Sequence, residues 1–157
     1  MQHVEIERKF LVDHEKWSDL IKPPGVPFLQ GYLSIDSEKV VRVRVAGDKG
    51  FITIKGKSAT IAHPEYEYEI PAADATELIE QFSGSVIKKV RTFVKTGNHT
   101  WEVDEFGGDN QGLLLAEIEL SEESETFDKP AWVTEEVTGD KRYYNAYLSL
   151  NPYGTWK

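Results

Sequence analysis

The sequence contains no cysteine, which excludes disulfides, thiolate metal sites and a Cys nucleophile and leaves oxygen ligands or histidine for any metal. No apolar run approaches the length of a membrane span, and the start, Met1-Gln2-His3-Val4-Glu5, lacks the basic segment and long apolar stretch of a secretory signal. The expectation is a soluble, cytoplasmic chain, in which the glycosylation-like triplet Asn98-His99-Thr100 carries no weight. Positive charge is also scarce. With 18 Lys and Arg against 27 Asp and Glu the net charge is -9, which argues against a general nucleic-acid or anionic-membrane binder. An acidic chain that held a polyanion would have to gather its basic residues in one place and use metal ions. Histidine is sparse as well, and His3, His14, His63 and His99 show neither the pairing nor the spacing of a metal site. Linkers, repeats and low-complexity segments are missing too, so residues 1–157 are read as one domain. A chain of this length can bury roughly two thirds of its unfolded surface.

What the chain has in abundance is short apolar/polar alternation broken by turn residues, the pattern of antiparallel sheet. Strands are expected at residues 4–12, 28–35, 40–46, 50–57, 65–70, 86–96, 99–106 and 113–120, enough for a barrel. Ala46-Gly47-Asp48-Lys49-Gly50 and Thr96-Gly97-Asn98-His99 are rich in residues that tolerate positive φ and suit tight hairpins. Gly107–Gly112 reads as a longer loop, because it opens no helix that could make it a phosphate cradle. Helices are expected at 13–22, ended by Pro23-Pro24, at 72–83, with Asp74 as cap and Gly84 as stop, and at 140–149 behind Asp140; residues 128–132 suit a short turn.

Side chains two apart share a strand face, and on that basis charge is sorted by strand. Glu5, Glu7 and Lys9 share a face; Arg42 and Arg44 follow, then Lys55 with Lys57, Glu65 with Glu67 and Glu69, Lys89 with Arg91, Glu102 with Asp104, and Glu117 with Glu119. Any one such pair reads as the solvent face of a half-buried sheet. Solvent faces, however, mix signs, because opposed like charges destabilise neighbouring strands. Seven strands sorted by sign suit the inner wall of a barrel instead. The apolar faces would then point outward under the amphipathic segments 13–22, 72–83 and 140–149. Two cations about 6 Å apart repel by roughly 3 kcal/mol at an effective dielectric near 20, so a basic wall needs facing anions. The acidic strands supply part of that balance and a polyanionic ligand the rest. Carboxylate clusters in turn suit a hard cation, Mg²⁺ or Mn²⁺. Metal on one side and phosphates on the other is the arrangement expected for phosphoryl transfer.

The opening Glu5-Ile6-Glu7-Arg8-Lys9 resembles the ExExK signature of the CYTH family, the triphosphate tunnel metalloenzymes. The later pairs, from Arg42-Val43-Arg44 and Lys55 through Glu67-Tyr68-Glu69, Lys89-Val90-Arg91 and Glu102-Val103-Asp104 to Glu117-Ile118-Glu119, resemble that family's charged pairs in the same order over nearly the whole chain. The resemblance implies a mostly β, α+β fold: a closed eight-stranded antiparallel tunnel with flanking helices. It implies that Lys9, Arg42, Arg44, Lys55, Lys89 and Arg91 grip phosphates, and that Glu5, Glu7, Glu102, Asp104, Glu117 and Glu119 bind Mg²⁺ or Mn²⁺ or position water. Glu67 and Glu69 match the middle acidic pair and would bind metal or orient the basic residues. Lys57 suits the rim, and Lys141 and Arg142 suit the surface better than a tunnel mouth. Tyr32 is in phase with Gln30 and Ser34 and resembles a tunnel tyrosine of small bacterial members, a phosphate or proton donor; a packing role fits equally. Trp101 should point outward.

The function expected from these residues is metal-dependent release of the terminal phosphate of a linear triphosphate, with Lys9 near the reacting centre. Inorganic tripolyphosphate is favoured because the chain shows no base pocket. Adenylate cyclase, thiamine triphosphatase and, from another class, a non-catalytic polyphosphate-binding module are the alternatives. The expectation includes neither a nucleic-acid nor a membrane partner and allows a homodimer.

Overall fold

The computed structural model describes residues 3–156. Eight strands close into an antiparallel barrel: β1 (Val4–Val12), β2 (Val26–Ile35), β3 (Lys39–Ala46), β4 (Lys49–Gly56), β5 (Ala62–Ile70), β6 (Ser85–Thr96), β7 (His99–Phe106) and β8 (Leu114–Glu119). Round the ring the order is β1, β8, β7, β6, β2, β3, β4, β5, and β5 returns to β1 through Val4↔Pro64 and Glu5↔His63. A ninth strand, β9 (Val133–Glu136), pairs with the second half of β1, where β5 no longer reaches it. The short turn expected at 128–132 therefore leads into a strand. Tight β3–β4 and β6–β7 hairpins turn on Gly47 and Gly97, with φ of 61° and 63°, values that cost a side-chain-bearing residue strain.

The helices are α1 (His14–Asp19), α2 (Ala72–Phe82) and α3 (Asn145–Leu150). Asp13 caps α1 by accepting from the Lys16 N–H at 2.9 Å. This helix ends three residues short of the expected stop, because the Lys22 ammonium takes over the carbonyls of Trp17 and Leu20. For α2 the cap is Pro71; Asp74 lies in the first turn, where its charge complements the helix dipole but makes no side-chain cap bond, and Ser83, not Gly84, ends it.

The apolar strand faces do point outward. Trp17 of α1, Trp132 and Val133 cover Phe10, Trp101, Val103, Ala116 and Ile118 of β1, β7 and β8, and Trp101 is fully buried there. Ala75 and Ile79 of α2 cover Val43 and its neighbours on β2, β3 and β4. The third segment departs from expectation. Instead of lying outside, α3 enters one end of the bore, where Leu148 packs with Tyr32, Ile87, Phe106 and Leu115. The cause lies in the inward faces themselves: each changes from charged to apolar at that end, Lys9 giving way to Leu11, Asp104 to Phe106, Glu117 to Leu115 and Lys89 to Ile87. The barrel is thus filled at one end and hollow at the other.

Candidate active site

The hollow is a cavity of about 670 Å³. Ring order gathers the sorted strands into two walls. On one side β7, β8 and β1 are neighbours, so Glu102, Glu117, Glu119, Glu5 and Glu7 stand together. On the other, Lys89 and Arg91 of β6 and Arg42 and Arg44 of β3 flank β2, and Lys55 follows on β4. Register ties the walls together: Lys9 lies opposite Glu117, Arg91 opposite Asp104, and Lys55 opposite Glu65. Tyr32 lines the cavity, and Lys57 and Lys141 line it at exposed positions, whereas Arg142 turns to Asp140.

Two expected residues are placed differently from the rest. Asp104, 1 % exposed, is enclosed by Arg91, which donates to both of its oxygens at 2.7 and 2.9 Å, and by Lys89 at 2.8 Å. It is an internal counterion to the basic wall. Glu69 is exposed and does not line the cavity, since its neighbour across the sheet is Phe51 near the α2 end of β4. Glu67 reaches the cavity and accepts from Thr53 at 2.9 Å, beside Arg42.

Charge crowding shows in the acid–base balance. Burial raises Glu7 well above the usual carboxylate range, and Glu117 and Glu5 add to the effect. Burial also acts on Glu117, but Lys9, a hydrogen bond with Glu7, Arg91 and Lys89 outweigh it and hold that carboxyl well below its usual value. Burial and Glu5 push Glu65 up to about 7, and burial and Glu5 raise Glu119. On the basic wall, burial with Arg42 and Arg91 nearby brings Arg44 down to about 9, and burial brings Lys89 down to about 7 despite Asp104. Desolvation in a shared cavity drives each of these shifts except that of Glu117, where neighbouring cations prevail. Arg42 Nε is buried with no hydrogen-bond partner among the described residues, a donor open to an acceptor of the kind a phosphate oxygen supplies.

The donor set for a cation is all oxygen and anionic, which suits Mg²⁺ or Mn²⁺. Among the described residues no three such side chains converge on one point. Small hard cations are commonly held by one or two carboxylates with the rest of the shell from phosphate and water, so Glu5, Glu7, Glu117 and Glu119 fit a cation shared with a phosphorylated ligand.

Some residues of the site carry no charge and gave no sorted-strand signal. Phe28 lies under three cations, 4.7 Å from Arg44, 4.9 Å from Arg91 and 5.9 Å from Lys89. Gln30, fully buried, and Asn145 bond to the basic wall. Phe28, Gln30 and Tyr32 alternate on β2, so phase with Tyr32 was the available clue for the first two; Asn145 had none.

Known proteins agree with this geometry. The chain is 49% identical over 154 residues to an inorganic triphosphatase of Acetivibrio thermocellus, covering 98% of this chain and 97% of that one. It is 36% identical over 151 residues to an inorganic triphosphatase of Nitrosomonas europaea, covering 94% and 97%. It also superposes on the crystal structure of an inorganic triphosphatase with a TM-score of 0.63 and 35% identity, covering 93% of this chain and 94% of the other. The CYTH domain profile matches residues 3–144, and with this near-complete span, the relatives and the two-walled bore, the chain belongs to the CYTH family.

Proposed function

We propose that this protein is an inorganic triphosphatase that releases the terminal phosphate of tripolyphosphate with Mg²⁺ or Mn²⁺. The observation that carries the reading is the basic wall of Arg42, Arg44, Lys55, Lys89 and Arg91 facing one cavity, with Arg42 Nε left without an acceptor among the described residues. Two relatives that span almost the whole chain are inorganic triphosphatases. A triphosphate supplies the row of anionic oxygens that such a wall lacks.

Each group then has a role. Arg42 and Arg44 hold phosphate oxygens through planar forked donors, and Lys89 and Lys55 add charge. Lys9 stands on the acidic wall itself, on β1, 3.9 Å from Glu117, with its ammonium donating to the Tyr143 carbonyl at 3.0 Å. From there it neutralises charge on the phosphoryl group undergoing attack. Glu5, Glu7, Glu117 and Glu119 would hold the divalent ion, and Glu67 orients Arg42. Asp104 holds Arg91 and Lys89 in place. The ion supplies charge neutralisation of phosphate oxygens and a more acidic water when bound. The carboxylates keep the attacking water aligned and accept its proton, and the basic wall stabilises the departing pyrophosphate.

The test is phosphate release from tripolyphosphate, pyrophosphate, ATP, thiamine triphosphate and p-nitrophenyl phosphate with each metal, with cyclic AMP followed in parallel. Tripolyphosphate should be the fastest substrate. Faster hydrolysis of the monoester, or cyclic AMP as the main product from ATP, would overturn the reading, and silence on all substrates would leave a binding module.

A further inference from the structure

The floor of the cavity is built by neutral amides whose orientation the cations dictate. Arg44 has donors only, and its Nε lies 2.9 Å from Gln30 Oε1, so that oxygen must face the guanidinium. Gln30 Nε2 is then turned the other way, toward Tyr32 Oη at 2.9 Å and Asn145 Oδ1 at 3.2 Å. The same Asn145 oxygen accepts from Lys89 Nζ at 2.8 Å, a second donor-only group. A flipped Asn145 would set two donors against its own NH₂ group, so its amide has one permitted orientation. Its Nδ2 has no acceptor among the described residues, and Asn145 lines the cavity. Tyr32 Oη is likewise engaged as an acceptor by Gln30, which leaves its proton for the cavity.

We infer that Asn145 is a substrate-contacting residue whose Nδ2–H₂ donates to a phosphate oxygen at the closed end of the bore, and that Gln30 is the positioning residue that fixes this donor and the Tyr32 hydroxyl. The inference rests on the triphosphate reading of the cavity. An uncharged donor suits this place. The floor is already crowded by Arg44, Lys89 and Arg91, and a further cation would add repulsion, whereas an amide adds a hydrogen bond to an anion without it. Because α3 supplies Asn145, its position in the bore also sets how deep a phosphate chain can enter.

The test separates binding from turnover. Tripolyphosphate affinity is measured by calorimetry without added divalent metal, and kcat and KM with Mg²⁺ or Mn²⁺. Asn145→Leu preserves shape and removes the donor; affinity should fall about ten- to a hundredfold, the worth of a hydrogen bond to a charged group, with KM rising more than kcat falls. Asn145→Asp keeps the acceptor for Lys89, so it folds even if the Leu variant does not, and it should lose at least as much affinity. Affinity within about twofold of wild type in the variants that fold overturns the assignment. Gln30→Met should cost less in the Asn145→Leu background than in wild type, and full additivity removes the positioning role. Wild type that binds tripolyphosphate without hydrolysing it sinks the proposed activity and leaves the donor to be judged on affinity alone. Wild type that does neither overturns both.

Discussion

Arg42 and Arg91 have the same chemistry and different employment. Arg91 donates to Asp104, Glu102 and Glu117, so it is held by the protein before any ligand arrives, whereas Arg42 donates through Nη2 to Thr53 and Glu67 and keeps a buried Nε without an acceptor among the described residues. The two should therefore fail differently. Arg42→Lys keeps charge but loses the fork, and tripolyphosphate turnover should fall at least about tenfold with the urea midpoint nearly unchanged. Asp104→Ala removes the carboxylate that two buried cations, Arg91 and Lys89, share, and should cost about 3 kcal/mol of stability in urea unfolding. A stable, inactive Asp104→Ala protein would show that the carboxylate serves the ligand and not the wall. Most charged members of the site were legible because they repeat every second residue in β-patterned segments. Gln30 and Thr53 were legible only by phase, with Tyr32 and with Lys55, and Asn145 not at all, because a neutral amide or hydroxyl looks like any other polar residue until its partners, up to 115 residues away, are known.

Among the elements, α2 and the strands beneath it show how closely layers are fitted. A Cβ on Gly50 would come within 2.8 Å of the Ala75 Cβ and 3.0 Å of the Ile70 carbonyl, and one on Gly31 within 2.7 Å of Ser83. Gly50→Val should destabilise the protein by about 1–3 kcal/mol by lifting α2 from the barrel, while a surface glycine with open space, Gly84, should accept Ala with little change in melting temperature. The segment before β9 is held by charge as well as by the packing of Leu120, Phe127 and Trp132. Glu125 is brought down to about 2 by the Ser121 hydroxyl and N–H and by His99. A depressed carboxyl stabilises fully above its ordinary value of 4.5 and loses that contribution as pH falls through about 2. The melting temperature of Glu125→Gln should lie below wild type near about pH 6 and converge with it toward about pH 2. Strand positions could be read from alternation, and α2 from its apolar stripe. The four-residue β9 was too short to carry a period, and nothing in 140–149 distinguishes a helix that covers a barrel from one that fills it. That choice belongs to the strands, whose inner faces turn apolar at one end.

Across the whole molecule, closure converts seven strands, each dominated by one sign of charge, into two opposed walls. The sequence reveals each strand's sign, but which strands become neighbours depends on ring order, and β2 between β6 and β3 is what brings both basic pairs round one floor. A protein with a net charge of -9 thereby gathers eight of its 18 Lys and Arg round its hollow, where they match eight Glu and lie mostly on one side. Tripolyphosphate should accordingly raise the melting temperature, by the equivalent of about 2.7 kcal/mol at a hundred times its dissociation constant, and the effect should shrink from low to high ionic strength. A shift independent of salt would place the ligand elsewhere. The helix in the bore has a kinetic consequence. With one end filled, fragments that leave by the hollow end depart in the order of their distance from it. The last to leave occupies the free enzyme and competes with the next chain to arrive, while the first can only inhibit in another pattern. Whichever of phosphate and pyrophosphate proves competitive against tripolyphosphate will have been the fragment lying against α3, and the direction in which the chain was seated follows from a pair of product-inhibition plots.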